Sequence, residues 1–203
     1  MKIENLKIKR LALSLSKGFT MIELLIVISV LGILAVAVLA AINPIEQINR
    51  GKDTGNRSDS EQLLSAIDRY YTTLGHYPWR SSTVAGTDTQ AWLRIIALAT
   101  WKDDLNANVL DKLSTGGTAE IKSSFVSRII GSGYNFMWVY NGGLAGNSTY
   151  VCFNGLSGSF QAEAQERCLG TRGSIPPDLE AMRDSICDLT IDTKAHQYVS
   201  CLP

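Results

Sequence analysis

The sequence predicts an α+β protein in which one long N-terminal hydrophobic α-helix packs on a small antiparallel β-sheet with accessory helices. An uncharged apolar run extends from Leu24 to Ile42. Residues 63–71 carry apolar side chains at helical spacing, which indicates one buried stripe. Two aromatic and β-branched segments, 134–140 and 149–153, have the composition of strands. A chain of 203 residues has room for one modest domain and an extended helix.

Residues 1–18 form a short basic leader, which we expect to be removed. They contain five basic residues and one acidic residue, whereas the whole chain has 19 of each. A basic segment before an apolar run is typical of export signals, in which the basic residues stay on the cytoplasmic side of the membrane. The run that follows is long enough to span a bilayer, which takes about 20 apolar residues. We therefore expect residues 19–42 to be the membrane-spanning and assembly half of the long helix.

Residues 43–78 are expected to form the amphipathic half of this helix and its exit loop. Pro44 interrupts the helix, because proline lacks a donor and disfavours helical backbone in the residue before it. Gly51 and Gly55 lie in a polar stretch that is consistent with either a weakened helix or a true break. A restart in this stretch would use a capping box of two residues: Ser58 and Glu61.

Residues 79–203 are expected to be a periplasmic or extracellular globular domain. Three apolar clusters predict short helices: Trp92–Trp101, Leu105–Leu113 and Phe125–Ile130. The two aromatic segments should form a hairpin, because a loop rich in glycine and asparagine (141–148) joins them. Residues 197–202 are a further strand candidate, and Pro176-Pro177 opens a predicted helix that reaches Cys187.

Four cysteines lie in the last quarter of the chain: Cys152, Cys168, Cys187 and Cys201. In an exported chain an even number indicates up to two disulfides, and four cysteines allow three pairings. The closure of short local loops favours Cys152–Cys168 with Cys187–Cys201. No Cys-x-x-Cys motif or histidine pair is present, so the sequence predicts no metal site.

The sequence shows no catalytic constellation. His76 and His196 are isolated in the sequence, and the glycines of 142–146 are not followed by the lysine of a phosphate-binding loop. The chain without its leader has a small negative formal charge, which gives no electrostatic reason to bind nucleic acid. We therefore expect a structural protein without a cofactor or specific nucleic-acid partner, and not an enzyme.

The junction between leader and apolar run has an unusual composition. Gly18 offers a protease an extended backbone without a side chain, and Glu23 places a carboxylate inside the apolar segment. A charge in a membrane span costs about 2.5–3.5 kcal/mol at its centre, so it usually has a partner. A cut after Gly18 would create an α-amine at Phe19, whose pKa of about 7.7–8.0 keeps it largely protonated at neutral pH. We expect the amine of a neighbouring copy to pair with Glu23 and set the register of an assembly.

These residues resemble the N-terminal motif of type IV pilins and type II secretion pseudopilins. Lys17, Gly18, Phe19, Thr20 and Glu23 match the family pattern position by position. The resemblance implies that prepilin peptidase cuts between Gly18 and Phe19 and methylates the new amine of Phe19. It also implies that an inner-membrane assembly platform builds the copies into a helical filament. The close match covers residues 17–42, with a looser one to Pro78.

The resemblance further implies a subunit that spans the inner membrane once, in contact with lipid, before it enters a cell-surface or periplasmic filament. A type IV pilus subunit and a type II secretion pseudopilin both remain open. A more distant alternative is a soluble secreted protein with an ordinary signal peptide, because Ala35-Val36-Ala37 is a small-x-small cleavage site. Such a protein would begin at Val38, and Glu23 would have no explanation.

Overall fold

The computed structural model describes residues 18–81, 88–117, 119–171, 173–187 and 198–203. The chain divides into two compact units, Met1–Asn43 and Pro44–Pro203. The described residues confirm the α+β class: an apolar helix is followed by a second helix and a four-stranded antiparallel sheet.

Helix α1, the only helix described in the first unit, covers Met21–Ala41 and has no buried residue. Its length and apolar composition are sufficient to cross a membrane. Ser29 is the only residue between Leu24 and Ala41 with a polar side chain, and its hydroxyl donates to the carbonyl of Leu25 at 2.7 Å. The helix ends where Ile42 takes an extended backbone, so the predicted interruption before Pro44 is confirmed.

Helix α2 covers Pro44–Leu74 without a break. Proline is well suited to the first position of a helix, where its missing donor is not needed. Of the two alternatives left open by the sequence, the structure shows the unbroken helix, so there is no restart at Ser58. Glu61 accepts from Arg57 Nε at 3.4 Å within the helix. Each glycine weakens a helix by about 1 kcal/mol. The helix nevertheless continues through Gly51 and Gly55, because Asp53 between them is held by hydrogen bonds from the segment 156–157. The helix ends at Leu74, and Gly75 follows it with a φ of 73°, the left-handed conformation that glycine favours.

The sheet has the order β1-β2-β3-β4, and all neighbours are antiparallel. Its strands are β1 Gln90–Ile95, β2 Met137–Asn141, β3 Thr149–Asn154 and β4 Val199–Leu202. The predicted hairpin and C-terminal strand are confirmed. The helix predicted at Trp92–Trp101 is wrong, because its first part pairs with β2 as an edge strand and only Leu98–Thr100 forms a 3₁₀ turn.

The described residues after α2 include four short α-helices: α3 Val109–Ser114, α4 Ser123–Ile129, α5 Gly158–Cys168 and α6 Arg183–Cys187. The predicted helices at residues 105–113 and 125–130 are confirmed in part by α3 and α4, whose bounds differ by a few residues. The helix predicted from Pro176 begins later, with a 3₁₀ turn at Glu180–Met182 before α6. Helix α5 has no counterpart in the sequence predictions.

Two apolar clusters make up the core of the second unit. The larger one joins the α2 stripe of Leu63, Ala66 and Ile67 to one face of the sheet and to α3 and α4. The smaller cluster includes Tyr150 and Cys152, whose side chains belong to the opposite face of the sheet. The sheet is therefore the middle layer of this unit.

Asp53 ties α2 to the segment that starts α5. Its carboxylate is fully buried and accepts from the backbone amides of Leu156 (2.8 and 2.9 Å) and Ser157 (2.7 Å) and from the Ser157 hydroxyl (2.7 Å). About two helical turns earlier, Glu46 accepts from the Gly158 amide at 3.1 Å, and that amide is the main cause of the lowered pKa of Glu46. Hydrogen-bonded acids on one face of α2 thus hold the N-terminus of α5.

The disulfides are Cys152–Cys201 and Cys168–Cys187. The pairing favoured by loop length, Cys152–Cys168 with Cys187–Cys201, is therefore wrong. The sheet register explains the difference, because Cys152 on β3 stands directly opposite Cys201 on β4 with Cα atoms 4.0 Å apart. Strand pairing brings together residues that are distant in sequence, which a preference for short loops cannot anticipate.

Removal of the bond between β3 and β4 is expected to be the more costly of the two disulfide losses. Cys152–Cys201 spans 49 residues and Cys168–Cys187 spans 19. The chain-entropy relation gives about 4 kcal/mol for the first loop and about 3 kcal/mol for the second. Urea unfolding of the two double serine variants measures the difference. A larger loss for Cys168→Ser with Cys187→Ser would contradict the ranking.

Candidate functional site

Gly18 and Phe19 lie outside regular secondary structure, immediately before α1. Phe19 is 72% exposed. A Cβ atom added to Gly18 would meet no atom within 4 Å. The described part of the chain therefore places no steric demand for glycine at this position. Lys17 lies outside the described residues.

Thr20 and Glu23 form a capping box that starts α1. The Thr20 hydroxyl accepts from the Glu23 amide at 3.2 Å, and the Glu23 carboxylate accepts from the Thr20 amide at 3.5 Å. Together they satisfy two backbone donors that a helix N-terminus leaves free. The carboxylate also lies at the positive end of the helix dipole, where a negative charge is stabilising.

The capping box gives Glu23 a local role beside the one expected from the sequence. The sequence predicted the Phe19 amine of a neighbouring copy as the partner of its carboxylate. The structure gives it a local partner in the uncut chain, although the side chain stays exposed at the start of an apolar helix. The Thr-x-x-Glu spacing that marks a capping box is visible in the sequence and could have revealed this role.

The arrangement combines an exposed Gly18–Phe19 peptide outside regular secondary structure with a helix that begins at Met21. A family model described as "Prokaryotic N-terminal methylation motif" matches residues 13–39. The chain carries the prepilin signature of type IV pilins and pseudopilins. The match includes the junction, Thr20 and Glu23, and most of α1. No curated protein and no solved structure gives a significant match to the chain.

The signature and α1 together indicate a pilin-like precursor that is anchored in a membrane before assembly. Processing by prepilin peptidase and polymerisation into filaments are the general properties of proteins with this signature. It is typical of structural subunits, not of enzymes.

The other candidate residues do not join this site. All four cysteines form disulfides in the second unit. His76 contacts the Leu74 carbonyl at 3.1 Å and the edge of Tyr70, as a structural residue would. His196 lies outside the described residues. Within the described ranges, no group of three or more histidine, cysteine or acidic side chains could hold a metal ion.

Proposed function

We propose that this chain is the precursor of a structural subunit of a type IV pilus-like filament. The observation that carries the proposal is the prepilin signature, placed on an exposed Gly18–Phe19 peptide directly before a capped apolar helix. In this proposal prepilin peptidase removes residues 1–18 and methylates the amine of Phe19. Residues 19–42 then serve as membrane anchor and later as the assembly helix.

Assembly would exchange one partner of Glu23 for another. In the uncut chain its carboxylate accepts from the Thr20 amide at the long distance of 3.5 Å. An ammonium group of a neighbouring copy would be a stronger partner, because it adds the attraction between two full opposite charges to the hydrogen bond. The pairing is strengthened further where apolar helices exclude water. Processing would thereby supply the group that fixes the register between copies.

We propose the inner membrane as the location of the unassembled subunit and a surface or periplasmic filament as its destination. Its partners would be other copies, an inner-membrane assembly platform and, before assembly, lipid. Residues 43–78 would connect the anchor to a globular domain of residues 79–203, outside the cytoplasm. Two disulfides in that domain fit such an oxidising location.

Between the two filament systems, we favour the pilus over the type II secretion pseudopilus. The support is the long segment after α2 with its four cysteines, which resembles the arrangement in pilins. Electron microscopy of cells with and without the gene tests this choice. Filaments that disappear from the cell surface would support a pilus, whereas unchanged filaments with impaired protein secretion would favour a pseudopilus.

Mass analysis of the mature N-terminus tests the proposal itself. We expect N-methylated Phe19 as the first residue, and Gly18→Ala should leave an uncut precursor, because the added methyl group would meet the protease and not this chain. Gly32→Ala is the matched control, since a Cβ at Gly32 also meets nothing within 4 Å. A mature chain beginning at Val38 would instead identify a secreted protein, and an intact Met1 would identify a plain anchor.

A further inference from the structure

Thr20 is the N-cap residue of helix α1. Its backbone is extended, with φ of −77° and ψ of 149°, and its carbonyl accepts from the Leu24 amide at 3.1 Å. Its hydroxyl accepts from the Glu23 amide at 3.2 Å. The helix therefore begins after the Gly18–Phe19 peptide and does not include it.

Two acceptors compete for the Glu23 amide. In an α-helix each amide donates to the carbonyl four residues earlier, so a longer α1 would direct the Glu23 amide to the Phe19 carbonyl. The Ile22 amide would then donate to the carbonyl of Gly18. In the structure the Thr20 hydroxyl holds the Glu23 amide instead. A short polar side chain thus takes the donor that the backbone would use to extend the helix.

An extended helix would protect the Gly18–Phe19 peptide from a protease. Its carbonyl would be engaged in a helical hydrogen bond, and cleavage would follow the fraction of molecules in which this bond is open. In the structure the peptide lies outside the helix and Phe19 is 72% exposed. The start of α1 at Thr20 thus leaves the peptide accessible.

We propose that Thr20 is a positioning residue for cleavage of the Gly18–Phe19 bond, because its hydroxyl starts the helix after that bond. The inference rests on the proposed processing by prepilin peptidase. Cleavage adds one water across the bond and gives a carboxylate at Gly18 and an ammonium at Phe19. Thr20 takes no part in this step and acts only on the conformation of the substrate.

The Glu23 carboxylate has a smaller share in this positioning. Its bond to the Thr20 amide is long, at 3.5 Å. The amide that the Thr20 hydroxyl holds belongs to the backbone, so it is present whatever side chain residue 23 carries. Cleavage should therefore depend on the side chain at residue 20 and hardly on that at residue 23.

Thr20→Ala is expected to raise the KM for cleavage and leave kcat unchanged. Loss of an N-cap side chain shifts the equilibrium at a helix end by about fivefold, and apparent affinity falls with the fraction of substrate competent to bind. The KM of the full-length precursor should thus rise by about fivefold. Initial rates with detergent-solubilised precursor and membranes containing prepilin peptidase, followed by mass analysis, measure both constants.

Two matched variants separate the cap from direct recognition of the hydroxyl. Thr20→Asn supplies an equally good cap without a hydroxyl, so its KM should equal that of the unchanged precursor. Glu23→Val keeps the bond between the Thr20 hydroxyl and the backbone amide, and its KM should also be unchanged. If Thr20→Ser is cleaved normally and Thr20→Asn as poorly as Thr20→Ala, the peptidase reads the hydroxyl itself and the proposal is wrong.

The ¹³Cα chemical shift of Phe19, measured in precursor micelles without peptidase, reports the helix start directly. It should move towards helical values in Thr20→Ala and stay in place in Thr20→Asn. An unmoved signal in Thr20→Ala, or a KM equal to that of the unchanged precursor, would overturn the role of Thr20 alone. If the unchanged precursor is not cut at all, the proposed function fails, and this inference fails with it.

Discussion

Glu23→Val is expected to yield a subunit that is processed normally but hardly assembles. Valine removes both the capping contact with Thr20 and the partner proposed for the Phe19 amine of a neighbour. Loss of one member of a buried ion pair costs about 3–5 kcal/mol, so the association between copies should weaken by more than about a hundredfold. The measurement is the yield of sheared filaments relative to mature subunit, with the N-terminus checked by mass analysis.

Two matched variants separate the cap from the charge. Glu23→Gln keeps a side chain that can complete a capping box but carries no charge, so it should assemble as poorly as valine. Thr20→Val removes the cap hydroxyl and keeps the carboxylate, and it should cost no more than about 2 kcal/mol in helix stability. Filament yields from Glu23→Gln that equal those of the unchanged protein would refute the charge argument.

Asp53→Ala is expected to cost about 3–5 kcal/mol of folding free energy in the second unit. The change leaves the amides of Leu156 and Ser157 and the Ser157 hydroxyl without their acceptor, and each such loss costs about 1–3 kcal/mol where the group stays buried. Urea unfolding followed by tryptophan fluorescence measures the loss.

Asp53→Asn should fall between alanine and the unchanged protein, since one oxygen of its side chain can still accept. Thr54→Ala is the surface control on the same helix. The Thr54 hydroxyl only contacts the carbonyl of Arg50, and surface changes of this kind stay within about 0.5 kcal/mol. If Asp53→Ala unfolds at the same urea concentration as Thr54→Ala, Asp53 is not an anchor.

Local patterns predicted the parts of the fold whose cause is local. The aromatic and β-branched composition of β2 and β3, with a turn-forming loop between them, was sufficient to predict their pairing. The junction motif was equally readable, because its residues are neighbours in the sequence. The helix prediction at Trp92–Trp101 was wrong because a short apolar segment is compatible with either a buried helix or a strand. Only the pairing with β2 decides between the two.

Contacts between distant residues were not predictable. Asp53 lies in a polar stretch with two glycines, and nothing near it indicates burial, since its partners are 103 and 104 positions away. Helix α5 buries only Ala164, so it lacks the apolar stripe that reveals a helix. Asn56 is also buried on α2, and its burial was not predictable because it lies in the same polar stretch. The disulfide pairing likewise depended on β4 lying beside β3.

The anchor at Asp53 also determines where α2 can yield under mechanical load. Gly51 and Gly55 are the weak points of the helix, and Asp53 lies between them. A pulling force that enters at Pro44 would reach the contact of Glu46 with Gly158 after two residues and the Asp53 carboxylate after nine. Most of the force would divide at Asp53, because its buried hydrogen bonds connect the helix to the segment 156–157. The helical turns before Asp53 would then stretch first. The turns that carry Leu63 and Ile67 would bear less of the force, because the hydrogen bonds of Asp53 pass part of it to the segment 156–157.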